Sequence, residues 1–181
     1  MPADRLQRFV SDLGFLLEQP LPERQLLPRI KSLMAQLVAS DDWLPPSKAL
    51  ADSKIYQQHL LHCDADERFS VVSFVWGPGQ GTPIHNHTVW GAIGMLRGAE
   101  CSQAYAMTAE GLRKVGPEIT LHPGQVGLVS PTLGDIHQVR NASADTPAIS
   151  IHAYGGNIGK ITRSVYDQEG RTRPFVSGYA S

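Results

Sequence analysis

Three histidines in two distant stretches carry the strongest chemical signal in this sequence. His85-Asn86-His87 sets two imidazoles two residues apart. His137 lies in a second stretch, Pro131-x-x-Gly134-x-x-His137-x-x-x-Asn141. In an extended chain, residues two apart project to the same side, so His85 and His87 are expected to converge on one ion. Three nitrogen ligands on one face of a metal leave its other positions open for reactants, as a catalytic centre requires. A lone His-x-His is ordinarily a pair of surface histidines; the second cluster argues against that here. Imidazoles alone suit Fe, Zn, Cu or Ni and do not choose among them.

A second pattern, Ser150-x-His152-x-Tyr154, falls on an apolar run, Ala148–Tyr154, that reads as a strand. Alternation puts the three side chains on one face. Hydroxyl, imidazole and phenol can then hydrogen-bond in series. A phenol oriented in this way near a metal can donate to bound O2 or to a substrate anion. His59 and His62 have no partner cluster and read as packed or solvent-facing, and His122, before Pro123-Gly124, reads as turn-adjacent. Trp76 and Trp90 read as core or pocket wall.

These groups need a scaffold. Leu6, Phe9, Val10, Leu13, Leu16 and Leu17 recur at helical spacing, and Pro20 and Pro22 end the run. Leu26, Leu27, Ile30, Leu33, Met34, Leu37 and Val38 repeat the pattern before Asp41-Asp42 and Pro45-Pro46 break it. Both stripes are expected to pack on the rest of the domain. Beyond them, Phe69–Trp76, Val89–Leu96, Cys101–Thr108 and Val126–Val129 read as strands between Gly/Pro turns. Cys101–Thr108 is expected to be the hairpin neighbour of Val89–Leu96 across Gly98. Ile161–Tyr166 and Arg173–Val176 form a candidate last hairpin around Gly170. The chain thus reads as a single domain over residues 1–181, mainly β, with a helical cap over 1–50 on a β-barrel over 51–181.

Composition narrows the function classes. The chain has 181 residues, 41% hydrophobic and 18% charged, with a formal net charge of −1. No cationic excess points to nucleic acid or an anionic membrane, and no apolar stretch is long enough to span a bilayer. Two cysteines, Cys63 and Cys101, in a chain that opens without a signal-like segment, read as reduced thiols in the cytoplasm. Oligomeric state stays open.

The histidine stretches resemble the two motifs of the cupin superfamily. Gly79, His85, His87 and Gly98 match the first, whose usual acidic ligand falls on Gly91. Pro131, Gly134, His137 and Asn141 match the second, with one extra residue after Pro131. The fold implied is a cupin (double-stranded β-helix) barrel. Together with Tyr56-x-Gln58, Phe74-x-Trp76-Gly77, Pro83–Thr88 and Ser150-x-His152-x-Tyr154, the motifs resemble the cysteine dioxygenase family of thiol dioxygenases. The resemblance implies Fe(II) held by His85, His87 and His137, with a small thiol and O2 as reactants and Ser150, His152 and Tyr154 as catalytic residues. In the animal members, the position of Gly91 is a cysteine joined to the tyrosine matching Tyr154, and the carboxylate-gripping arginine falls on Gln58. Those departures resemble the bacterial branch that prefers 3-mercaptopropionate. There a later arginine, matched by Arg163, helps hold the carboxylate, so Gln58, Arg163 and Tyr154 are the candidate substrate contacts. A glutamine amide cannot supply the charged fork of an arginine. The activity implied converts 3-mercaptopropionate to 3-sulfinopropionate. The alternatives are cysteine as substrate and, more distantly, a metal-binding cupin without redox chemistry.

Overall fold

The computed structural model describes residues 4–180. Two helices come first, α1 (Asp4–Leu17) and α2 (Glu23–Val38). Phe9, Leu13 and Leu16 of α1 and Leu27, Ile30, Met34, Leu37 and Val38 of α2 are buried, as the apolar stripes require. Pro28 lies inside α2 without ending it. Past the helix end, Trp43 Nε1 donates to the Leu37 carbonyl at 3.0 Å, satisfying one of the acceptors a helix leaves open. The expected helical region to residue 50 stops here. Between α2 and the first strand only a 3-10 turn, Pro46–Lys48, is helical, because Pro45 and Pro46 deny the chain backbone donors.

Eleven strands follow: β1 (Gln57–Cys63), β2 (Ser70–Trp76), β3 (Ile84–His85), β4 (Gly91–Arg97), β5 (Glu100–Thr108), β6 (Gly111–Leu121), β7 (Val126–Val129), β8 (Ile136–Asn141), β9 (Ala148–Tyr154), β10 (Arg163–Tyr166) and β11 (Thr172–Phe175). They form two antiparallel sheets, ordered β1-β2-β9-β4-β7 and β11-β10-β3-β8-β5-β6. This is the expected cupin architecture, mainly β under a helical cap. The last hairpin also stands, with Arg163 paired to Phe175 and Tyr166 to Thr172.

One expected pairing does not occur. β4 pairs with β7 and β9, whereas β5 pairs with β6 and β8 in the other sheet. The Gly98 turn therefore passes the chain from one sheet to the other. Gly98 has φ +69, a left-handed conformation that suits glycine.

β2 and β9 are buried along their whole length, because both faces of their sheet are covered. One face, with Val71, Val75, Ile149, Ile151 and Ala153, packs beneath the helices. The other, with Val72, Phe74, Trp76 and Tyr154, faces the barrel interior. Period-two alternation thus turns Ser150, His152 and Tyr154 inward together, and hydrophobic burial on the opposite face locks that register.

Candidate metal centre and adjoining cavity

His85 and His137 are direct cross-strand partners on β3 and β8. His87 lies just beyond β3, so strand alternation is not what brings it to the site, contrary to the sequence argument. Asn86 instead fixes the local path. Its N–H donates to the Ser164 carbonyl, its Oδ1 accepts from the Ser164 N–H at 2.8 Å, and its Nδ2 donates to the Tyr166 hydroxyl. With Asn86 tied to β10, the two flanking histidines turn inward.

Asp135 holds the next turn. Its carboxylate accepts from the N–H groups of His87 and Thr88, at 3.0 and 2.8 Å, and from the His87 ring at 3.0 Å. Thr88 has φ +63, costly for a β-branched residue and tolerated where the surroundings over-determine it.

The three imidazoles are buried, with ring centroids 4.8–4.9 Å apart and candidate ligand atoms within 4.8 Å of one another. Every Nδ1 is engaged elsewhere. That of His85 meets the Pro83 carbonyl at 3.0 Å, that of His87 meets Asp135, and that of His137 meets Ser102 Oγ at 3.2 Å. An Nδ1–H donated to such an acceptor leaves the Nε2 lone pair free, which is how metal-binding imidazoles are oriented. Burial, foremost, lowers the pKa of each ring, to about 3 for His85, so all three are neutral near pH 7. Neutral, pre-oriented imidazoles are the protonation state that a divalent transition metal needs.

A cavity of about 300 Å³ adjoins His85 and His137. Phe74, Trp76, Val139 and Phe175 give it apolar walls, and Tyr154 and Arg163 reach it from β9 and β10. The expected series of hydrogen bonds is present. Ser150 Oγ lies 2.8 Å from His152 Nε2, and His152 Nδ1 lies 2.8 Å from the Tyr154 hydroxyl. Burial is the main cause that lowers the His152 pKa well below its usual range and raises that of Tyr154, so both are neutral near pH 7.

Arg163 is 4% exposed. Its guanidinium lies 4.5 Å over the Phe175 ring and donates to Ser177 Oγ at 2.7 Å, while Nε is buried with no partner. Gln58 also lines the cavity, but its Nε2 donates to Ser177 Oγ and the Gly178 carbonyl, both at 3.1 Å. Gln58 therefore anchors the C-terminal segment beside Arg163. Among the described residues, no acidic side chain lines the cavity.

His59, His62 and His122 take no part in the site. His59 is buried against the Leu50 carbonyl, and Cys63 and Cys101 are free thiols. Sequence reasoning missed Asp135, Ser102, Ser177 and Glu100. Only Asp135, two residues before His137, offered a local hint. The others join the site through strand pairing or through the C-terminal segment.

A profile of the family described as Cysteine dioxygenase type I matches residues 27–169. The chain is 26% identical over 144 residues to the cysteine dioxygenase type 1 of Rattus norvegicus, covering 70% of each. It is 27% identical over 146 residues to that of Homo sapiens, covering 70% of this chain and 71% of the human one. Among solved structures, an uncharacterized conserved protein with a double-stranded beta-helix domain from Klebsiella pneumoniae is similar, with TM-score 0.49 and 18% identity over 61% of this chain and 81% of that one.

Proposed function

Since this chain belongs to the cysteine dioxygenase type I family, we propose that it is an iron(II)-dependent dioxygenase that adds both atoms of O2 to the sulfur of 3-mercaptopropionate, giving 3-sulfinopropionate. His85, His87 and His137 would hold the ion. Bound there, iron(II) supplies open positions at which a thiolate and O2 meet, and the redox chemistry that O2 requires.

The remaining work falls to the chain's own residues. Arg163 is the carboxylate anchor: a buried cation with an unpartnered Nε at the cavity wall lacks an acceptor that a carboxylate provides. Ser177 steadies that guanidinium, and Gln58 steadies Ser177. Tyr154, held by His152 and Ser150, presents a neutral phenol that can exchange a proton with a reacting group. Phe74, Trp76, Val139 and Phe175 restrict water around the sulfur.

The observation that carries the substrate choice is the charge of the cavity wall. It has a buried arginine and no acidic side chain. Cysteine would bring an ammonium group with no anionic partner there, a costly burial. 3-Mercaptopropionate has the thiol and the carboxylate without the amine. The names of the curated relatives favour cysteine as the second reading. Anaerobic loading with iron(II), followed by O2 uptake and sulfinate analysis with each thiol, tests both. A specificity constant at least about tenfold higher for 3-mercaptopropionate is expected, a difference of about 1.4 kcal/mol. Equal constants, or a preference for cysteine, would refute the choice, and no sulfinate from either thiol would refute the activity.

A further inference from the structure

Behind the Ser150–His152–Tyr154 series lies a carboxyl group that none of the site's roles uses. Glu100, the first residue of β5, is 1% exposed. It is paired with Asn141 on β8 and Leu121 on β6, and so faces the barrel interior with them. Its Oε2 is buried with no hydrogen-bond partner. Its β8 partner Asn141 donates to the Trp76 carbonyl at 3.3 Å, and the Trp76 ring reaches Ser150, which places the carboxyl behind the series, where Ser150 opposes its desolvation.

Ser150 is a branch point with limited capacity. A hydroxyl has one proton to donate and two lone pairs to accept with. Trp76 Nε1 donates to Ser150 Oγ at 3.1 Å and occupies one lone pair. One donation and one acceptance remain, to be divided between His152 Nε2 and Glu100. If Glu100 is ionised, it takes the serine proton, and Ser150 must accept from His152 Nε2–H. Nδ1 then accepts from Tyr154, whose oxygen faces the cavity as an acceptor. If Glu100 is protonated, it donates to Ser150, which donates to Nε2. Nδ1–H then donates to Tyr154, whose own proton faces the cavity.

We propose that Glu100 is the proton acceptor at the inner end of this relay, taking up the proton lost when the substrate thiol becomes a thiolate and so converting Tyr154 from acceptor to donor. The inference rests on the thiol dioxygenase reading for the source of the proton. The transfer balances. The S–H bond breaks, its electron pair stays on sulfur, and its proton goes to the Tyr154 oxygen. The phenol proton passes to His152 Nδ1, the Nε2 proton to Ser150 Oγ, and the serine proton to the Glu100 carboxylate. Nothing is oxidised: sulfur gains the negative charge that Glu100 loses, and Tyr154, His152 and Ser150 stay neutral. Glu100 does not touch substrate and acts through Ser150 as a positioning residue.

Its surroundings suit the task. Burial is the main cause that raises the carboxyl to about 7, with Ser150 opposing it. Among the described residues, no charged side chain faces it from the neighbouring elements. On β8, Asn141 shares its face, and Arg140 points outward to pair with Glu118 of β6. On β6 its partner is Leu121. Arg97 of β4 pairs outside with Asp41. From the first sheet, Trp76 of β2 and Ser150 of β9 approach, with His152 and Tyr154 beyond them.

The tautomer of His152 in metal-free protein reads the relay directly. Nitrogen-15 NMR of the imidazole, assigned by its loss in His152→Gln, is expected to show Nδ1–H at about pH 5.5 and Nε2–H at about pH 8.5. Glu100→Gln, whose amide offers Ser150 either its oxygen or its NH2 but has no proton to gain or lose, should hold one tautomer at both pH values. A wild-type tautomer that ignores pH, or a titration that survives Glu100→Gln, would overturn the proposal. Proton release is then measured under argon as 3-mercaptopropionate binds the iron(II)-loaded protein at pH 8. Glu100→Gln and Glu100→Leu are each expected to release about one more proton to buffer than wild type and to lose about 10²-fold in kcat/KM. Equal release overturns the acceptor role. Failure of wild type to bind the thiol refutes the proposed function instead, and the tautomer titration still decides whether Glu100 governs the relay.

Discussion

Replacing Asp135 by asparagine should weaken metal binding about 10- to 100-fold while leaving the fold intact. In the native protein the carboxylate answers three donors. Oδ1 meets the His87 ring and its N–H, both at 3.0 Å, and Oδ2 meets the same N–H at 3.0 Å and that of Thr88 at 2.8 Å. An amide of the same shape has one acceptor oxygen. Whichever way it is turned, an N–H confronts an N–H, which costs about 1–3 kcal/mol for a buried donor. If the amide nitrogen faces the ring, the imidazole avoids the clash by moving its proton to Nε2, which removes the lone pair a metal needs. If it faces Thr88, the turn at φ +63 loses the contact that holds it. Either route matches the loss typical of removing a ligand-orienting carboxylate, about 10- to 100-fold, or about 1.4–2.8 kcal/mol. Anaerobic titration of iron(II) against a competing chelator measures it, with thermal unfolding of the metal-free protein as the control for folding. An affinity within about twofold of wild type would show that Asp135 does not orient His87.

Three other outcomes are expected. Arg163→Met should lower kcat/KM for 3-mercaptopropionate about 10²-fold, chiefly through KM, because a carboxylate loses its charged partner; steady-state O2 uptake checks this, and an unchanged KM would exclude Arg163 as the anchor. Gly91→Ala should destabilise the protein by about 1–3 kcal/mol, read from the urea midpoint, since a Cβ there would lie 2.9 Å from Tyr154 Cε1 and from Val129 Cγ2. Activity should fall with it, as the Tyr154 ring is displaced. Glu100 sets a pH dependence of stability: its folded pKa of about 7 lies above the ordinary 4.5, so between those values the folded state binds the extra proton. Stability should therefore fall by roughly 3 kcal/mol as pH rises from about 4.5 to above 7. Glu100→Gln should flatten that slope in denaturant melts, and a slope unchanged by the substitution would place the titration elsewhere.

Much of the site was written in local patterns. The identities of His85, His87 and His137 were legible as motifs, though Asn86, Asp135 and the β3–β8 pairing are what bring them together. The helical stripes of α1 and α2 and the alternation of Ser150, His152 and Tyr154 are short-range regularities. Backbone geometry converts such regularities into a shared face without help from the rest of the chain. The long β6 left no such trace, because most of its side chains are exposed and carry no apolar alternation. β5 misled for a related reason. A glycine turn looks the same whether it closes a hairpin or carries the chain to the opposite sheet.

The sequence by itself determined which residues could ligate a metal and which could relay a proton, because those capacities belong to side-chain chemistry and local period. Only the tertiary structure decided what surrounds them. Asp135 clamps His87 across a turn. Ser102 meets His137 through the β5–β8 pairing, Ser177 returns from the C-terminal segment to Arg163, and Glu100 is buried behind the Trp76–Ser150 contact. Such contacts join residues far apart in the chain. They exist only once barrel closure has fixed the strand registers, and hydrophobic burial over the whole domain, more than any motif, sets that closure.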